Sequence, residues 1–139
     1  MELKSLTYTS LARLDLTGDD LAAIHETARR LNALDGITGL LIFNGTHFLQ
    51  IIEGSPEAID GLVERLRRDP RHHGLEIRDQ HLAEERSFPD WSMELVRVST
   101  SYFEAKEKVA ERLPEGVSEP VRKRVFQMTE AISGTVHFS

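Results

Sequence analysis

Two apolar segments, residues 37–43 and 46–53, flank the dipeptide Asn44-Gly45 and constrain the fold more than any other part of the chain. Asn-Gly between two apolar runs is typical of a type I′ turn, so the segments are predicted to form a β-hairpin. Neither segment alternates apolar with polar residues, which indicates that both faces of each strand are covered. We therefore expect two strands in the interior of a sheet.

One amide lies within the second apolar segment, where Gln50 stands between hydrocarbon side chains. A buried primary amide has donors and an acceptor to satisfy, and each group left unpaired costs about 1–3 kcal/mol. The sequence therefore requires partners for Gln50 inside the fold.

Two helices are predicted from their caps and their periodicity. Thr17 is a suitable N-cap for the first helix, which is expected to end at Asp35-Gly36. Ser55 is expected to cap the second helix, with Pro56 at its first position, where a missing N–H is tolerated. Apolar residues recur with a helical period in both segments, so each helix is predicted to pack one face on the sheet.

Strand patterns over residues 3–10, 74–88 and 90–98 complete the order β-α-β-β-α-β-β. This order predicts an α+β, ferredoxin-like sandwich, in which a five-stranded mixed sheet carries the two helices on one face. Residues 99–139 contain two amphipathic segments, expected to cover the other face as a C-terminal helical pair. We expect one compact unit, with a domain over residues 1–98 and a helical extension over residues 99–139.

Composition excludes several classes of function. The 139 residues include no cysteine, which excludes disulfides, thiolate metal sites and cysteine nucleophiles. The net charge of -6 argues against nucleic-acid binding, which requires a basic surface. No segment reaches the ~18 apolar residues of a membrane span, and the N-terminus lacks the apolar core of a signal peptide. We expect a cytoplasmic protein that binds neither nucleic acid nor membrane.

Few residues have the spacing that catalysis or metal binding needs. The sequence has no Gly-rich phosphate-binding loop, and no nucleophile is placed beside a base. The adjacent pair His72-His73, preceded by Arg71, is interpreted as a solvated helix end, so no metal site is predicted. The cluster over residues 84–86 is interpreted as a turn that faces water. Hydrolytic catalysis is therefore not expected.

Tyr8, Asn32 and Gln50 are polar or amphipathic residues at positions expected to face the layer of the two helices. Folds of this kind commonly place the first strand, with Tyr8, beside the strand that carries Gln50, so a phenol–amide contact is feasible. Asn32 borders the apolar face of the first helix. Such a trio suits a planar heterocycle between the helices. A Tyr–Gln pair that satisfies itself within the core is an equal alternative, and the fold cannot decide between them.

Four segments, in order and in the expected separation, resemble the signature blocks of BLUF domains, the blue-light sensors that use flavin. The resemblance runs from about residue 3 to residue 97 and is to the short, stand-alone type. It implies a non-covalently bound flavin, FAD rather than FMN, with the isoalloxazine between the two helices. The four segments are SLTYTSLA, ARRLNALDGITGLLIFNGTHFLQIIEG, RLRRDPRHHGLEI and RSFPDWSMEL.

The resemblance also implies roles for individual residues. Tyr8 matches the photoactive tyrosine, which gives an electron and a proton to the excited ring. Gln50 matches the glutamine that bridges this tyrosine and the N5/C4=O edge of the flavin, and Asn32 matches the asparagine at the C4=O/N3 edge. Arg65 and Asp69 match positions that contact the pyrimidine side of the ring.

Further site residues follow from the same resemblance. Trp91 and Met93 match the pair on the fifth strand that compete for a place near Gln50 and form the switch. Ile24 and Ala28, on the first helix, belong to the implied flavin-binding surface.

Two residues of the first helix depart from the family pattern. Leu31 stands where members often carry Asn or His, and Ala28 stands where a small hydroxyl residue is common. Both changes remove polar contacts to the cofactor, so the affinity for flavin and the lifetime of the lit state are put in doubt. Arg29 and Arg30 are candidates for binding the cofactor's phosphates, with a solvated basic helix face as an equal alternative.

The expected function is that of a blue-light photoreceptor that is not an enzyme. Light-driven electron and proton transfer from Tyr8 through Gln50 would rearrange the hydrogen bonds to the flavin, and the fifth strand would pass the change to residues 99–139. Output would reach a separate signalling protein or act through self-association, and a homo-oligomer is expected. A flavin-dependent enzyme on the same fold and a non-photoactive interaction module are the alternatives.

Overall fold

The computed structural model describes most of the chain, namely residues 2–88, 93–98, 102–113, 117 and 119–133. In chain order, its elements are β1 (Leu3–Ala12), α1 (Gly18–Leu34), β2 (Thr38–Phe43), β3 (His47–Gly54), α2 (Pro56–Arg67), β4 (His72–Ala83), β5 (Glu94–Arg97), α3 (Tyr102–Arg112) and α4 (Glu119–Ser133). This order of strands and helices is the one predicted from the sequence.

The strands form one sheet of five in the order β4-β1-β3-β2-β5. β2 and β5 are parallel, whereas the other neighbouring strands are antiparallel. Both strands of the predicted hairpin, β2 and β3, are interior, as their unbroken apolar sequences indicated. The predicted α+β sandwich with a five-stranded mixed sheet is therefore confirmed.

The side chains of β3 alternate between two hydrophobic cores. Phe48 and Ile52 belong to the core beneath α1 and α2. Leu49 and Ile51 belong to a second core, which includes residues of α3 and α4. Successive strand residues point to opposite faces, so a sheet covered on both sides needs apolar residues at nearly every position. The two helical layers explain why β3 does not alternate apolar with polar residues.

Capping hydrogen bonds confirm the predicted starts of α1 and α2. The Thr17 hydroxyl accepts from the Asp20 N–H at 3.0 Å, and the Asp20 carboxylate accepts from the Thr17 N–H at 3.0 Å, which together form a capping box. The Ser55 hydroxyl accepts from the Ala58 N–H at 3.2 Å. After the end of α1, Gly36 has φ +70°, a conformation that glycine adopts without steric cost.

The turn between β2 and β3 differs from the predicted one. Gly45 has φ +99°, but Asn44 is not among the described residues with positive φ. A type I′ turn requires positive φ at both central residues, so the predicted turn type is wrong. Strand pairing extends to Phe43 and Phe48, and the Asn44 N–H donates to the His47 carbonyl at 3.2 Å. The Asn44 side chain accepts from the His47 N–H at 2.7 Å and closes the turn.

The start of β4 also differs from the prediction. β4 begins at His72, because the last residues of β1 continue the antiparallel ladder and pair Leu11 with His73 and Ala12 with His72. The interpretation of His72-His73 as a solvated helix end is therefore wrong. Pairing with a distant strand fixes this boundary, and no local pattern announces it.

Arg86 is a second correction, since the cluster over residues 84–86 does not simply face water. The Arg86 guanidinium donates to the Gly36 carbonyl at 2.7 Å, to the Thr38 hydroxyl at 2.8 Å and to the Glu53 carbonyl at 3.1 Å. It thereby ties the segment before β5 to the ends of β2 and β3, while its neighbours Glu84 and Glu85 are exposed.

The described helices include none long and apolar enough to cross a membrane. Within the described ranges, no group of three or more His, Asp or Glu side chains is placed to hold a metal ion.

Candidate functional site

A cavity of about 210 Å³ lies between α1, α2 and the sheet face that carries Tyr8 and Gln50. Every residue that the family resemblance assigns to flavin binding is among those that line it, whereas the phosphate-binding candidates Arg29 and Arg30 are not. The lining residues are Tyr8, Ile24, Thr27, Ala28, Leu31, Asn32, Leu41, Phe48, Gln50, Leu62, Arg65, Leu66, Asp69, Arg71 and His72. The structure thus brings together side chains from four strands, β1 to β4, and from both α1 and α2, although their roles toward a ligand stay predictions.

Tyr8 and Gln50 are joined by a buried hydrogen bond. The two residues are direct partners in the antiparallel pair of β1 and β3. The Tyr8 hydroxyl donates to Oε1 of Gln50, and each side chain is 3% exposed. Burial, and secondarily the negative charge of Asp69, raise the pKa of the Tyr8 phenol well above its ordinary value near 10.0. The phenol therefore stays protonated and remains a hydrogen-bond donor at neutral pH.

The other end of the Gln50 amide contacts Met93. The Gln50 Nε2 donates to the Met93 Sδ at 3.1 Å, and Met93 is 2% exposed. Met93 directly precedes β5, so this contact connects the centre of the sheet to one edge strand. Trp91, the other residue predicted to compete for this place, lies outside the described residues.

Asn32 lies in the last turn of α1, and its amide has no partner among the described residues. Its side chain is 1% exposed, and neither Oδ1 nor Nδ2 makes a hydrogen bond. Leaving a buried amide unpaired is costly, at about 1–3 kcal/mol for each group. A buried donor and acceptor that face an apolar-walled cavity are suited to a ligand edge that offers the complementary acceptor and donor.

His72 is a site residue that sequence reasoning missed. It lines the cavity, and its Nδ1 lies 2.9 Å from the Ser10 hydroxyl, while Nε2 is buried without a partner among the described residues. Burial lowers the pKa of the imidazole, which favours its neutral form. Its ring lies against Phe48, edge to face at 6.0 Å. His72 enters the site because β1 continues to pair with β4 as far as Ala12 and His72. This pairing is visible only in the assembled sheet, so no sequence signal identified His72.

Asp69 and Arg71 lie just after the end of α2, line the cavity and form an ion pair. The Arg71 Nη2 donates to the Asp69 carboxylate at 2.6 Å, and its Nε donates at 2.9 Å. These hydrogen bonds hold the pKa of the Asp69 carboxyl below its ordinary range. Asp69 is therefore an anion at neutral pH, and Arg71 balances its charge.

The basic residues of the helices lie further out. Arg65 lines the cavity but is half exposed, and its Nη2 lies 3.4 Å from the Asp35 carboxylate. Arg29 and Arg30 are exposed and are not among the described residues that line the cavity. A contact of Arg29 or Arg30 with a cofactor's phosphates has no support from this geometry, whereas Arg65 lies at the rim of the cavity.

The residues present fit a flavin. Ile24, Leu41 and Leu62 supply apolar walls. The Asn32 amide offers a donor and an acceptor side by side, which match a heterocycle edge on which a carbonyl stands beside an N–H. The fold and the site together define a ligand-binding α+β domain in which a buried Tyr–Gln pair forms part of the wall of a heterocycle-sized cavity.

The family model of BLUF, sensors of blue-light using FAD, matches residues 3–94. The chain therefore belongs to the BLUF family and is a blue-light sensor domain that uses flavin, as the sequence resemblance implied.

Known proteins of this family align with most of the same segment. The photoactivated adenylate cyclase subunit beta of Euglena gracilis is 39% identical over 94 residues, which are 66% of this chain and 11% of the cyclase subunit. The blue light- and temperature-regulated antirepressor BluF of Escherichia coli K12 is 34% identical over 73 residues, which are 52% of this chain and 18% of BluF. The chain spans less than a fifth of the length of these relatives.

A solved structure supports the whole described architecture. The BLUF structure of BlrP1 superposes with a TM-score of 0.82 at 30% identity, covering 99% of this chain and 95% of that one. The alignment includes the C-terminal helices as well as the sheet, since nearly all of both chains is covered.

Proposed function

We propose that the chain binds FAD in the cavity between α1 and α2, and that Tyr8, Gln50 and Met93 convert the absorption of blue light into a change at β5. The observation that carries the proposal is the buried amide of Asn32, which has no partner among the described residues and lines the same cavity as the Tyr8–Gln50 pair. Bound flavin supplies a chromophore for blue light and, once excited, a one-electron acceptor.

Asn32 would hold the pyrimidine edge of the ring, with its Nδ2 donating and its Oδ1 accepting. The family description and the general use of FAD by the family favour FAD over FMN. Arg65 and Asp69, which both line the cavity, would contact the pyrimidine side of the ring. Ile24 and Ala28 would contact the faces or edge of the ring.

Tyr8 would supply an electron and a proton after excitation. The phenol already donates its hydrogen bond to Oε1 of Gln50, so that oxygen would be the first acceptor of the proton that leaves Tyr8. The raised pKa of Tyr8 keeps this proton on the phenol until the electron leaves. Return of the electron and the proton restores the tyrosine but leaves the amide free to settle in a second arrangement.

Rearrangement of the Gln50 amide would alter its contact with Met93. In the structure Nε2 donates to the Met93 sulfur, which is a weak acceptor. If the amide rotates, its oxygen faces the sulfur and this hydrogen bond is lost. If the amide changes tautomer, the nitrogen keeps one hydrogen instead of two, and the bond persists only where that hydrogen points at the sulfur. The stability of the buried position of Met93 would then depend on the arrangement of the Gln50 amide. Two arrangements of one amide would therefore form a bistable switch.

A route to the C-terminal helices starts next to Met93. Glu94, the first residue of β5, forms an ion pair with Arg112 of α3. The pair is partly exposed, so it guides the position of α3 more than it stabilises the fold. We propose that residues 99–139 carry output, with residues 1–98 as the flavin-binding domain.

The proposed output is a contact with another protein rather than a reaction. BluF is an antirepressor by name, which is an action on a protein partner. The photoactivated cyclase subunit shows that the same domain also occurs in enzymes. We propose that this chain itself is not an enzyme and that it signals through a partner or a homo-oligomer; a cytoplasmic location stays a prediction.

One preparation tests the proposal. The protein is purified, its absorption spectrum is recorded before and after blue light, and the released chromophore is identified by chromatography. A yellow protein that contains FAD and shows a reversible red shift of a few nanometres is the expected result. Protein that cannot be loaded with FAD, FMN or riboflavin would overturn it and favour a non-photoactive interaction module, whereas light-independent turnover of added reductants would favour a flavoenzyme.

A further inference from the structure

His25 connects α1 to the residue that directly precedes β5. Its Nε2 lies 2.9 Å from the backbone carbonyl oxygen of Met93, although 68 positions separate the two residues. A carbonyl oxygen only accepts hydrogen bonds, so the Nε2 of His25 must carry the hydrogen and donate it. The bond is partly buried, which protects it from competition by water.

Met93 is thereby held from two sides. Its backbone oxygen accepts from His25 of α1, and its sulfur accepts from the Gln50 Nε2 of β3 at 3.1 Å. Met93 is 2% exposed, in the core that also holds Tyr8. Both hydrogen bonds position the same residue, so the loss of one loosens the geometry of the other.

The position of His25 on α1 is what makes this bond informative. The preceding residue, Ile24, lines the cavity, and one helical turn further along so does Ala28. A single rigid helix therefore contacts both the cavity and the start of β5. Within the described residues, His25 is the side chain of α1 with a hydrogen bond to Met93.

We propose that His25 is a positioning residue, which holds the Met93 backbone so that the Met93 sulfur stays against Gln50 in the state described by this structure. The inference rests on the proposed role of Gln50 and Met93. The proposal takes this arrangement to be the one present in the dark, so loss of the bond would disfavour it relative to the arrangement that follows illumination. One neutral hydrogen bond corresponds to about a three- to tenfold change in an equilibrium or rate, so dark recovery would slow by about that factor.

The test compares His25→Leu, which cannot donate, with His25→Gln, whose Nε2 can take the place of the imidazole nitrogen. Glu26→Leu, at the exposed next position of α1, controls for adding a leucine to the helix. The recovery of the dark spectrum is timed for each protein. The dark-state methyl resonance of Met93 is recorded on ¹³C-methionine protein, and its assignment uses Met93→Ala because the chain has 3 methionines.

We expect His25→Leu to move the Met93 resonance and to slow recovery about three- to tenfold, whereas His25→Gln and Glu26→Leu stay within about twofold of the original protein. In a Met93→Ala background, His25→Leu should have no further effect on recovery. Alanine keeps the backbone carbonyl that accepts from His25, but the sulfur that this bond positions against Gln50 is gone. An effect of equal size in that background, or an unchanged resonance and rate in His25→Leu, would overturn the proposal.

Failure of the underlying function is distinguishable. If the original protein binds flavin but shows no red shift, the proposed photocycle is wrong, and the resonance of Met93 still decides the role of His25. If the original protein shows a normal red shift, and His25→Leu has the same recovery rate and Met93 resonance as the original protein, the photocycle stands and only the positioning role of His25 is wrong.

Discussion

Tyr8 and Gln50 stand directly opposite each other across the antiparallel pair of β1 and β3, and the phenol of one donates to the amide oxygen of the other. The flanking pairs, Leu6 with Ile52 and Ser10 with Phe48, fix the same register. A slip of one residue would turn Gln50 to the opposite face of the sheet. The register of two strands therefore sets the geometry of the proposed photoactive pair.

Replacing Gln50 by leucine should abolish the light-induced red shift and leave flavin binding largely intact. The change removes both the oxygen that accepts from Tyr8 and the nitrogen that donates to Met93, while the cavity keeps its apolar walls. Absorption spectra before and after illumination measure the effect. Gln80→Leu, an exposed amide on β4, is the matched control. A normal shift in Gln50→Leu would contradict the role of the amide.

Tyr8→Phe should bind flavin but lose the photocycle, and it should also change how stability depends on pH. The folded phenol has a raised pKa, so between about pH 10 and its folded value the native state holds a proton that the unfolded chain has lost. The stability that this proton contributes is present below about pH 10 and is lost as the pH rises from there toward the folded pKa. Phenylalanine lacks this contribution.

Urea unfolding of flavin-free protein at pH 8 and at pH 11 checks this prediction. Flavin-free protein is needed because the ring itself titrates in alkali. The original protein should lose more unfolding free energy between the two pH values than Tyr8→Phe does. Equal losses would mean that the Tyr8 phenol ionises in the folded state as readily as in the unfolded chain.

The part of the site set by short-range pattern was predictable from sequence. Thr17 and Ser55 predict the starts of their helices, and the apolar segment around Gln50 predicts an interior strand. These features are readable because caps and periodicity depend on only a few neighbouring residues. The Tyr8–Gln50 contact followed from placing the first strand beside the hairpin. Their roles came from the family resemblance, since spacing alone left a self-satisfied pair as an equal alternative.

Features that depend on distant parts of the chain were not predictable. His72 enters the cavity because the end of β1 extends the ladder to it, and Arg86 is held by carbonyls at the ends of β2 and β3. The prediction of a type I′ turn after β2 was wrong for a different reason. The Asn44 side chain accepts from the His47 N–H and closes the turn, and of the two central residues only Gly45 has a positive φ. The bond from His25 to Met93 joins residues 68 positions apart and has no signature in the sequence.

Asn32→Leu should weaken flavin binding without weakening the flavin-free fold. Both atoms of the Asn32 amide are buried and unpaired among the described residues, so leucine of similar volume removes an unfavourable group. The same change removes the two hydrogen bonds proposed between Asn32 and the ring, which corresponds to about a tenfold or greater loss of affinity. Flavin titration by fluorescence quenching and thermal unfolding of flavin-free protein measure the two effects.

The control for this substitution is Ala33→Leu, at the exposed neighbouring position of α1. It should leave both the affinity and the unfolding midpoint close to those of the original protein. A large drop in the midpoint of flavin-free Asn32→Leu would show that the amide stabilises the fold itself, and unchanged affinity would remove Asn32 from the flavin site.

Glu53→Ala should destabilise the fold more than any surface substitution of the same type. The Glu53 carboxylate, 3% exposed at the end of β3, accepts from the Ser87 N–H at 2.7 Å and from the Phe88 N–H at 2.8 Å. Alanine would remove the carboxylate that accepts from both backbone N–H groups, at a cost of about 2–4 kcal/mol. The segment before β5 would keep only the attachment that the Arg86 guanidinium makes to the ends of β2 and β3.

Urea unfolding separates this role from a general effect of charge. Glu84→Ala removes a carboxylate at an exposed position of the same segment and should change the unfolding free energy by less than about 0.5 kcal/mol. Glu53→Gln keeps one oxygen acceptor and should fall between Glu84→Ala and Glu53→Ala. If the two alanine variants lose the same small amount, the hydrogen bonds of Glu53 do not hold the segment before β5, and the Arg86 guanidinium, which reaches the Gly36 and Glu53 carbonyls, is the anchor instead.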